Sequence, residues 1–367
     1  MNQIMPQIKD IKEERDIYRF TLYDINISIA NGLRRTILND IPTVVFEQQN
    51  IAIEINTGRL HNELIKHRLE CIPIYSTDIE QLPGNYALEV DVTNDTDAII
   101  YVTTDDFKIR NKTNGNMVSD AELAKIFPKD PITQDPIIFA RLRPKIGDSI
   151  PGGRIKLTAE FSVNRAGRQS TWNVVSKCSY GNTPDINKIQ TVWDEIEAKL
   201  AAEETPRADI EFQKKNYMLL DAQRQFVENS FNFVIQTLGV FENKEIVKKA
   251  CRILQNKFVK MIEEVDANTI FIKTSETTMD NSYDITLENE DYTIGKILEY
   301  FLYECYYLGK EDFLLNFCGF KKMHPHDSDS IIRLAYLKSA DVNVVRQNLR
   351  VACVYAQDIF VKIHKMF

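Results

Sequence analysis

The chain has 367 residues, 44% of them apolar and 27% charged, with 45 Lys plus Arg against 53 Asp plus Glu and a net charge of −8. That length accommodates two or three domains with ample buried core, and the acidic balance argues against a broad surface that grips phosphate backbone. Six cysteines without a C-x-x-C pair, an amino terminus unlike a signal peptide, and no apolar run of membrane-spanning length lead to an expectation of reduced thiols in an intracellular, soluble protein with no membrane partner.

In chain order, Ile17 to Leu22 reads as a strand and is followed by a helix that Asn26 or Ser28 can cap and Pro42 must end. Ile29, Ala30, Leu33, Ile37 and Ile41 fall on one stripe of this helix, while Asn31, Arg35 and Asn39 lie opposite, with Arg34 at the margin. Val44 to Ile55 reads as extended. Leu60 to Tyr75 is helical in its first part and stopped by Pro73.

From Ser76 to about Gly181, short alternating segments separated by turn residues predict a β-rich inserted domain. The clearest are Tyr86 to Val92, Ile99 to Val102 and Ile155 to Val163. Asp185 to Glu211 reads as an acidic surface helix with a connector at Thr205-Pro206, and Phe231 to Leu238 as a buried strand. A long helix from Lys244 to about Val265 carries Val247, Ala250, Leu254, Phe258, Met261 and Ile262 on its packing face. Residues 274–282 have little to bury and read as a linker.

The opening plan then recurs. A strand at Tyr283 to Leu287 leads to a helix capped by Asp291 or Thr293, with Ile294, Ile297, Leu298, Phe301, Leu302 and Cys305 on its stripe. Phe313 to Lys322, a turn at Met323 to Asp327 and a strand at Ile331 to Leu337 follow. The closing helix, from about Val342 to Lys365, has Val345, Leu349, Ala352, Ala356, Ile359 and Ile363 on its stripe. The fold class expected is therefore α+β: two units of sheet plus helices packed about a pseudo-dyad as an intramolecular dimer, with the β-rich insertion. The domains expected are 1–75 with 182–273, the insertion 76–181, and 283–367 beyond the linker.

Catalytic motifs are absent from this reading. There is no phosphate-binding loop, no G-x-G-x-x-G and no G-x-S-x-G. His61 and His67 stand six apart, so a helix cannot bring them to one ion, and the expectation is no metal and no cofactor. Arg165-Ala-Gly-Arg168 reads as a solvated basic loop, with contact to a partner as the alternative.

The remaining motifs match one family. Ile29-Ala-Asn-Gly-Leu-Arg-Arg-Thr-Ile-Leu-x-x-Ile-Pro42, followed by Leu60-x-x-Glu63-x-Ile-x-His67-Arg68-Leu69-x-x-Ile72-Pro73, resembles the alpha motif of cellular RNA polymerases. That motif marks bacterial alpha, the archaeal D subunit and the third-largest subunit of eukaryotic RNA polymerase II. Arg141 to Gly147 and Arg168 to Trp172 resemble the close of that family's inserted domain. Glu290-Asp-Tyr-Thr-Ile-Gly-Lys-Ile-Leu298 and Phe317-Cys-Gly-Phe-Lys-Lys-Met-His-Pro325 are similar to the archaeal L subunit and the eleventh subunit of polymerase II, with Tyr292 where histidine is usual.

The resemblance implies a non-catalytic scaffold of a DNA-directed RNA polymerase, in which the two large catalytic subunits and a small subunit are partners and DNA or RNA is met only through the complex. It assigns Arg34, Arg35, Glu63, His67 and Arg68 to partner binding. Ile29, Leu33, Ile37, Leu254, Phe258, Ile294, Ile297, Leu298, Phe301, Leu349 and Ile359 are assigned to the intramolecular dimer, and Gly319, His324 and Pro325 to a structural turn. Joining two normally separate subunits resembles the fusions of large cytoplasmic DNA viruses, which implies the virion and the host cytoplasm, in viral factories, as location. The alternatives from other classes are a free-standing enzyme and a nucleic-acid-binding transcription factor.

Overall fold

The computed structural model describes residues 5–147, 149–276, 279–310, 312 and 314–367. Strands β1 (Gln7–Glu14) and β2 (Ile17–Tyr23) lead to helix α1 (Ile27–Asn39), strand β3 (Pro42–Asn56) and helix α2 (Asn62–Glu70). Next come β4 (Tyr86–Thr93), β5 (Ile100–Thr103), β6 (Lys108–Asn111), α3 (Asp120–Ile126), β7 (Ile138–Leu142), β8 (Arg154–Arg165) and β9 (Val175–Pro184). Helices α4 (Ile186–Ala202) and α5 (Arg207–Leu219) precede β10 (Phe226–Thr237), α6 (Asn243–Asp266) and β11 (Ile272–Thr274). The chain closes with β12 (Ser282–Leu287), α7 (Tyr292–Leu302), β13 (Leu315–Lys321), β14 (Ser330–Tyr336) and α8 (Val342–Met366). With 37% helix and 31% strand in several antiparallel sheets, the fold class is α+β.

Two compact units share these elements: residues 5–36, 177–235 and 247–367 form the first, and 37–176 with 236–246 the second. The first unit holds two four-stranded sheets, ordered β1-β2-β10-β9 and β11-β12-β14-β13. Phe20 on β2 stacks on Phe233 of β10 with ring centroids 5.1 Å apart, and Phe367 meets Phe20 edge-on at 4.9 Å, which anchors the end of the chain to that sheet. Asn26 caps α1, its Oδ1 accepting the Ser28 N–H at 2.8 Å. Asp291 caps α7 by accepting from the Thr293 N–H at 2.8 Å.

Helices α4 and α5 carry a small core of their own, Trp193, Tyr217 and Ala222, with the Trp193 indole N–H donating to Glu197. What reads in sequence as one acidic surface helix is thus a helical pair folded at Pro206.

The second unit is built on the sheet β3-β8-β4-β6, with the pair β5-β7 beside it. β3 and β8 run antiparallel from Pro42↔Arg165 to Asn56↔Ile155, and Phe46 faces Phe161 with centroids 4.9 Å apart. The core of this unit joins Val44, Phe46, Ile65, Leu69 and Ile72 to Leu88, Phe107, Phe139 and Leu157. This corrects the expected boundary at residue 75: the ladder hydrogen-bonds residues 42–56 to the inserted strands, so residues 37–75 fold with the insertion.

The linker also reads differently in three dimensions. β11 and β12 pair antiparallel from Ile272↔Ile285 to Thr274↔Tyr283, and the Ser275 N–H donates to the Ser282 carbonyl at 2.9 Å. Both serines are buried, so the junction is a hairpin rather than a loose tether. Residues 277 and 278 of the linker and Phe313 at the start of a predicted strand lie outside the described residues. Helix α3 has no counterpart in the sequence reading, although Ser119 and Glu122 form a reciprocal capping box at its start.

Candidate assembly site

The site begins with two short helices that cross at a glycine. A Cβ placed on Gly32 of α1 would stand 2.6 Å from Ile297 Cδ1 and 3.8 Å from the Thr293 carbonyl, both on α7. A side chain at 32 would hold the helices apart; its absence lets their backbones approach. Ile29, Leu33, Ile294, Ile297, Leu298 and Phe301 are all buried, and so is Ile37 in the second unit's part of α1.

The two long helices meet in the same way. Phe258 of α6 stacks on Phe360 of α8, with centroids 6.1 Å apart and planes within 9°. Gln255 donates to the Phe360 carbonyl at 2.9 Å, and Arg350 binds Asp266 at 2.7 Å. Leu254, Leu349 and Ile359 are buried along these helices. Each half of the chain therefore gives one short and one long helix to a shared seam, and each helix meets its counterpart from the other half.

Arg35 clasps that seam. Its Nε donates to Thr293 Oγ1 at 2.8 Å and its Nη2 to Asp291 Oδ2 at 2.5 Å. Burial alone would push the Asp291 carboxyl up, but the Thr293 N–H and hydroxyl and the Arg35 guanidinium outweigh it and hold the group below the usual carboxylate range. This corrects the expectation that Arg35 faces a partner: a cap carboxylate from the other half lies within reach and takes its charge. Lys257 of α6 adds a bond to Glu290 at 3.2 Å, just ahead of α7.

Arg34, one residue earlier, differs. Its Nε and Nη2 donate to Asn31 Oδ1 at 3.0 and 2.9 Å, and no carboxylate among the described residues pairs with it. It is half-buried beside Cys178, whose thiol burial pushes up to about 12 against the pull of that guanidinium.

On α2, Glu63 is open to solvent, and so is His67, which touches Gln48 and lies 3.3 Å from Glu70. Arg68 is pinned: its Nε donates to the Phe139 carbonyl at 2.5 Å and its Nη2 to that of Ile138 at 2.9 Å. It is therefore not the free charge expected, because α2 packs beside β7, whose carbonyls accept it. Sequence reasoning passed over Glu70, which is buried and accepts from the Gln48 N–H at 3.1 Å, Gln48 Nε2 at 2.9 Å and Gln169 Nε2 at 3.0 Å. It fastens the basic loop to the sheet. That loop is also docked at Gly167, whose N–H donates to the Asn39 carbonyl at 2.7 Å and satisfies the end of α1. Gly319 lies within β13 opposite Arg333 and not in the turn, because the Phe317 ring occupies the place of its missing side chain. His324 and Pro325 do sit in a turn, closed by the His324 N–H donating to Asp327 at 2.9 Å.

Comparison with known proteins fits this two-helix seam. The profile of the RNA polymerase Rpb3/Rpb11 dimerisation domain matches residues 19–258, well over half of the chain. The chain belongs to that family. Among relatives of this Rpb3/Rpb11-type chain, the DNA-directed RNA polymerase subunit Rpo3 of Pyrococcus horikoshii is 27% identical over 71% of this chain and 98% of its own length. RPB3 of RNA polymerase II from Schizosaccharomyces pombe is 25% identical over 67% of this chain and 83% of its own. Human RPAC1, of RNA polymerases I and III, is 24% identical over 68% and 81%. The protein is thus an alpha-like subunit of a DNA-directed RNA polymerase. The profile match ends within α6, so α7 and α8 are placed against it by structure. No helix among the described residues is long and apolar enough to cross a membrane.

Proposed function

We propose that this alpha-like subunit is a non-catalytic scaffold that carries both halves of a D/L-type heterodimer in one chain and captures the two largest polymerase subunits. The observation that carries this is the seam: Gly32 against Ile297, Phe258 against Phe360, and Arg35 locked to Asp291 complete a dimer in cis. Tethering replaces a bimolecular step with an intramolecular one at an effective concentration on the order of millimolar. It also removes any need to match the levels of two subunits.

Arg34, Glu63 and His67, whose charged or polar groups are not spent on the seam, are the residues proposed to orient the large subunits, where such groups act on specificity more than on affinity. A small subunit of the same complex is a further proposed partner, and nucleic acid is met only through the assembly. The covalent junction at β11–β12 favours a virus-encoded polymerase, with the chain in the virion and the host cytoplasm.

Affinity purification from the native source tests the proposal. Recovery of two much larger polymerase chains in stoichiometric amounts is expected, with that activity present only in the complex. A monomeric chain that turns over a substrate alone, or that binds nucleic acid alone, would overturn it. Proteomics of purified particles tests the location.

A further inference from the structure

Within the second unit, a cavity of about 470 Å³ opens between the loop at residues 57–60, α2 and the β5-β7 pair. Its size falls in the range of about 300–1,000 Å³ used for ligand sites. Four arginines line it, Arg59, Arg68, Arg141 and Arg143, and no Asp or Glu does. In a chain of net charge −8, that is a local inversion of sign. No carboxylate among the described residues pairs with any of the four. Arg68 spends its donors on neutral backbone carbonyls, so its charge stays uncompensated.

The walls between these charges are apolar and open. Ile99 is 58% exposed, Tyr101 53% and Ile138 51%, with Leu60 beside them. Scattered apolar exposure is ordinary, but a contiguous group rimmed by one sign of charge marks an interaction surface. The walls are held from behind. Buried Asn94 donates to the Ala98, Leu142 and Arg143 carbonyls at 2.8, 3.2 and 3.0 Å, which fixes both lips of the groove without a partner present. β5 has β7 as its one strand neighbour, so its other edge can take main-chain hydrogen bonds from an extended segment.

We propose that this groove receives an extended acidic segment with aliphatic or aromatic anchors, contributed by a co-assembling polypeptide. The apolar side chains enter between Ile99, Tyr101 and Ile138, and the carboxylates meet Arg59, Arg141 and Arg143. The kind of occupant, a segment of another chain in the complex, rests on the assembly reading above. The charge and shape of the groove do not. A phosphate backbone would satisfy the arginines but leave the aliphatic walls unused, and the chain's net charge repels it at longer range.

The test uses the purified full-length chain and fluorescence anisotropy. The probes are a short labelled peptide in which Asp and Glu alternate with Leu and Phe, a twin with Lys in place of the acids, and a short single-stranded DNA. Saturable binding of the acidic peptide is expected, about tenfold weaker in R59E/R141E and weakened by salt, and unchanged in K215E on the exposed face of α5. I138D, at an exposed position, removes the apolar anchor while keeping every arginine, and is expected to weaken binding comparably. It decides the matter if the double reversal fails to fold by circular dichroism. Equal affinity for the Lys twin, tighter binding of the DNA, or no saturable binding of the acidic peptide would overturn the groove. Those results are read on the isolated chain, so recovery of the large polymerase chains with the wild-type protein still judges the assembly reading separately.

Discussion

Replacing Gly32 with alanine sets two effects of known sign against each other. In a helix interior, alanine is favoured over glycine by about 1 kcal/mol, so a surface site would gain stability. Here the new methyl would lie 2.6 Å from Ile297 Cδ1, 0.8 Å inside the 3.4 Å at which ordinary contact begins. Ile297 is fully buried, so its end must move into packed neighbours, and overpacking of that kind costs about 1–3 kcal/mol. The expected net effect of G32A is a loss of roughly 0–2 kcal/mol.

The decisive arm is I297V, which deletes the offending Cδ1 and by itself costs about 0.5–1.5 kcal/mol. In that background the nearest remaining atom, Ile297 Cγ1 in the wild type, lies at 3.4 Å, and the same G32A change should now stabilise by up to about 1 kcal/mol. Equilibrium urea unfolding followed by circular dichroism reads both signs, with midpoint shifts of roughly 0.3–1 M per kcal/mol. A stabilising G32A in the wild-type background, or the same sign in both backgrounds, would refute the close crossing of α1 and α7.

Three further outcomes follow from the same geometry. R35A and D291N, taken as a double-mutant cycle, should couple by about 1 kcal/mol, since the pair is only partly buried and D291N keeps the helix cap. Because the Asp291 carboxyl is held below its usual range, its contribution is fully present above the unfolded value near 3.9 and is lost as pH falls through the folded one. R35A should therefore narrow the stability gap between acid and neutral pH, and an unchanged acid limb would count against the clasp. E70A should destabilise by about 1–3 kcal/mol and free the loop at Gln169, seen as faster amide exchange there, because the Gln48 and Gln169 donors lose their buried acceptor. In the native chain, iodoacetamide near pH 8 should label Cys71 first, since it is exposed, while burial pushes the thiols of Cys178 and Cys318 up to about 12 and those of Cys251 and Cys353 higher still. Early mass-spectrometric labelling of Cys251 or Cys353 would mean that the α6–α8 seam opens.

Much of the architecture was legible because its signals are local. The stripe of α1, the repeats of α6 and α8 and the caps at Asn26 and Asp291 depend on residues within a few positions of one another. So does the alternation of β4. The missed helix α3 had its signal in Ser119 and Glu122, but its short run carries no buried residue to give it a stripe. The α4–α5 fold at Pro206 was marked only by a proline, and the tryptophan that makes it a packed pair gains its meaning from Tyr217 on the other helix.

The site was less legible, and the reason is distance along the chain. Arg35 and Asp291 are 256 residues apart, and nothing in the periodicity of either helix says that the cation of one meets the cap of the other. Arg68 reads as a charge on an exposed helix face until β7 brings two carbonyls beneath it, and Glu70 reads as one acid among many until Gln48 and Gln169 converge on it. By itself the sequence determined which segments are helix or strand, which face of each is apolar, and the family the motifs of α1 and α2 belong to, since all of these are written in nearest-neighbour patterns. Only the tertiary structure decided that residues 37–75 fold with the insertion, that the linker is a hairpin, and that of two adjacent arginines Arg35 closes the seam while Arg34 stays without a carboxylate partner. Those outcomes depend on which remote donors and acceptors a closed chain brings within about 3 Å, and hydrogen bonds and ion pairs fall away steeply beyond that range.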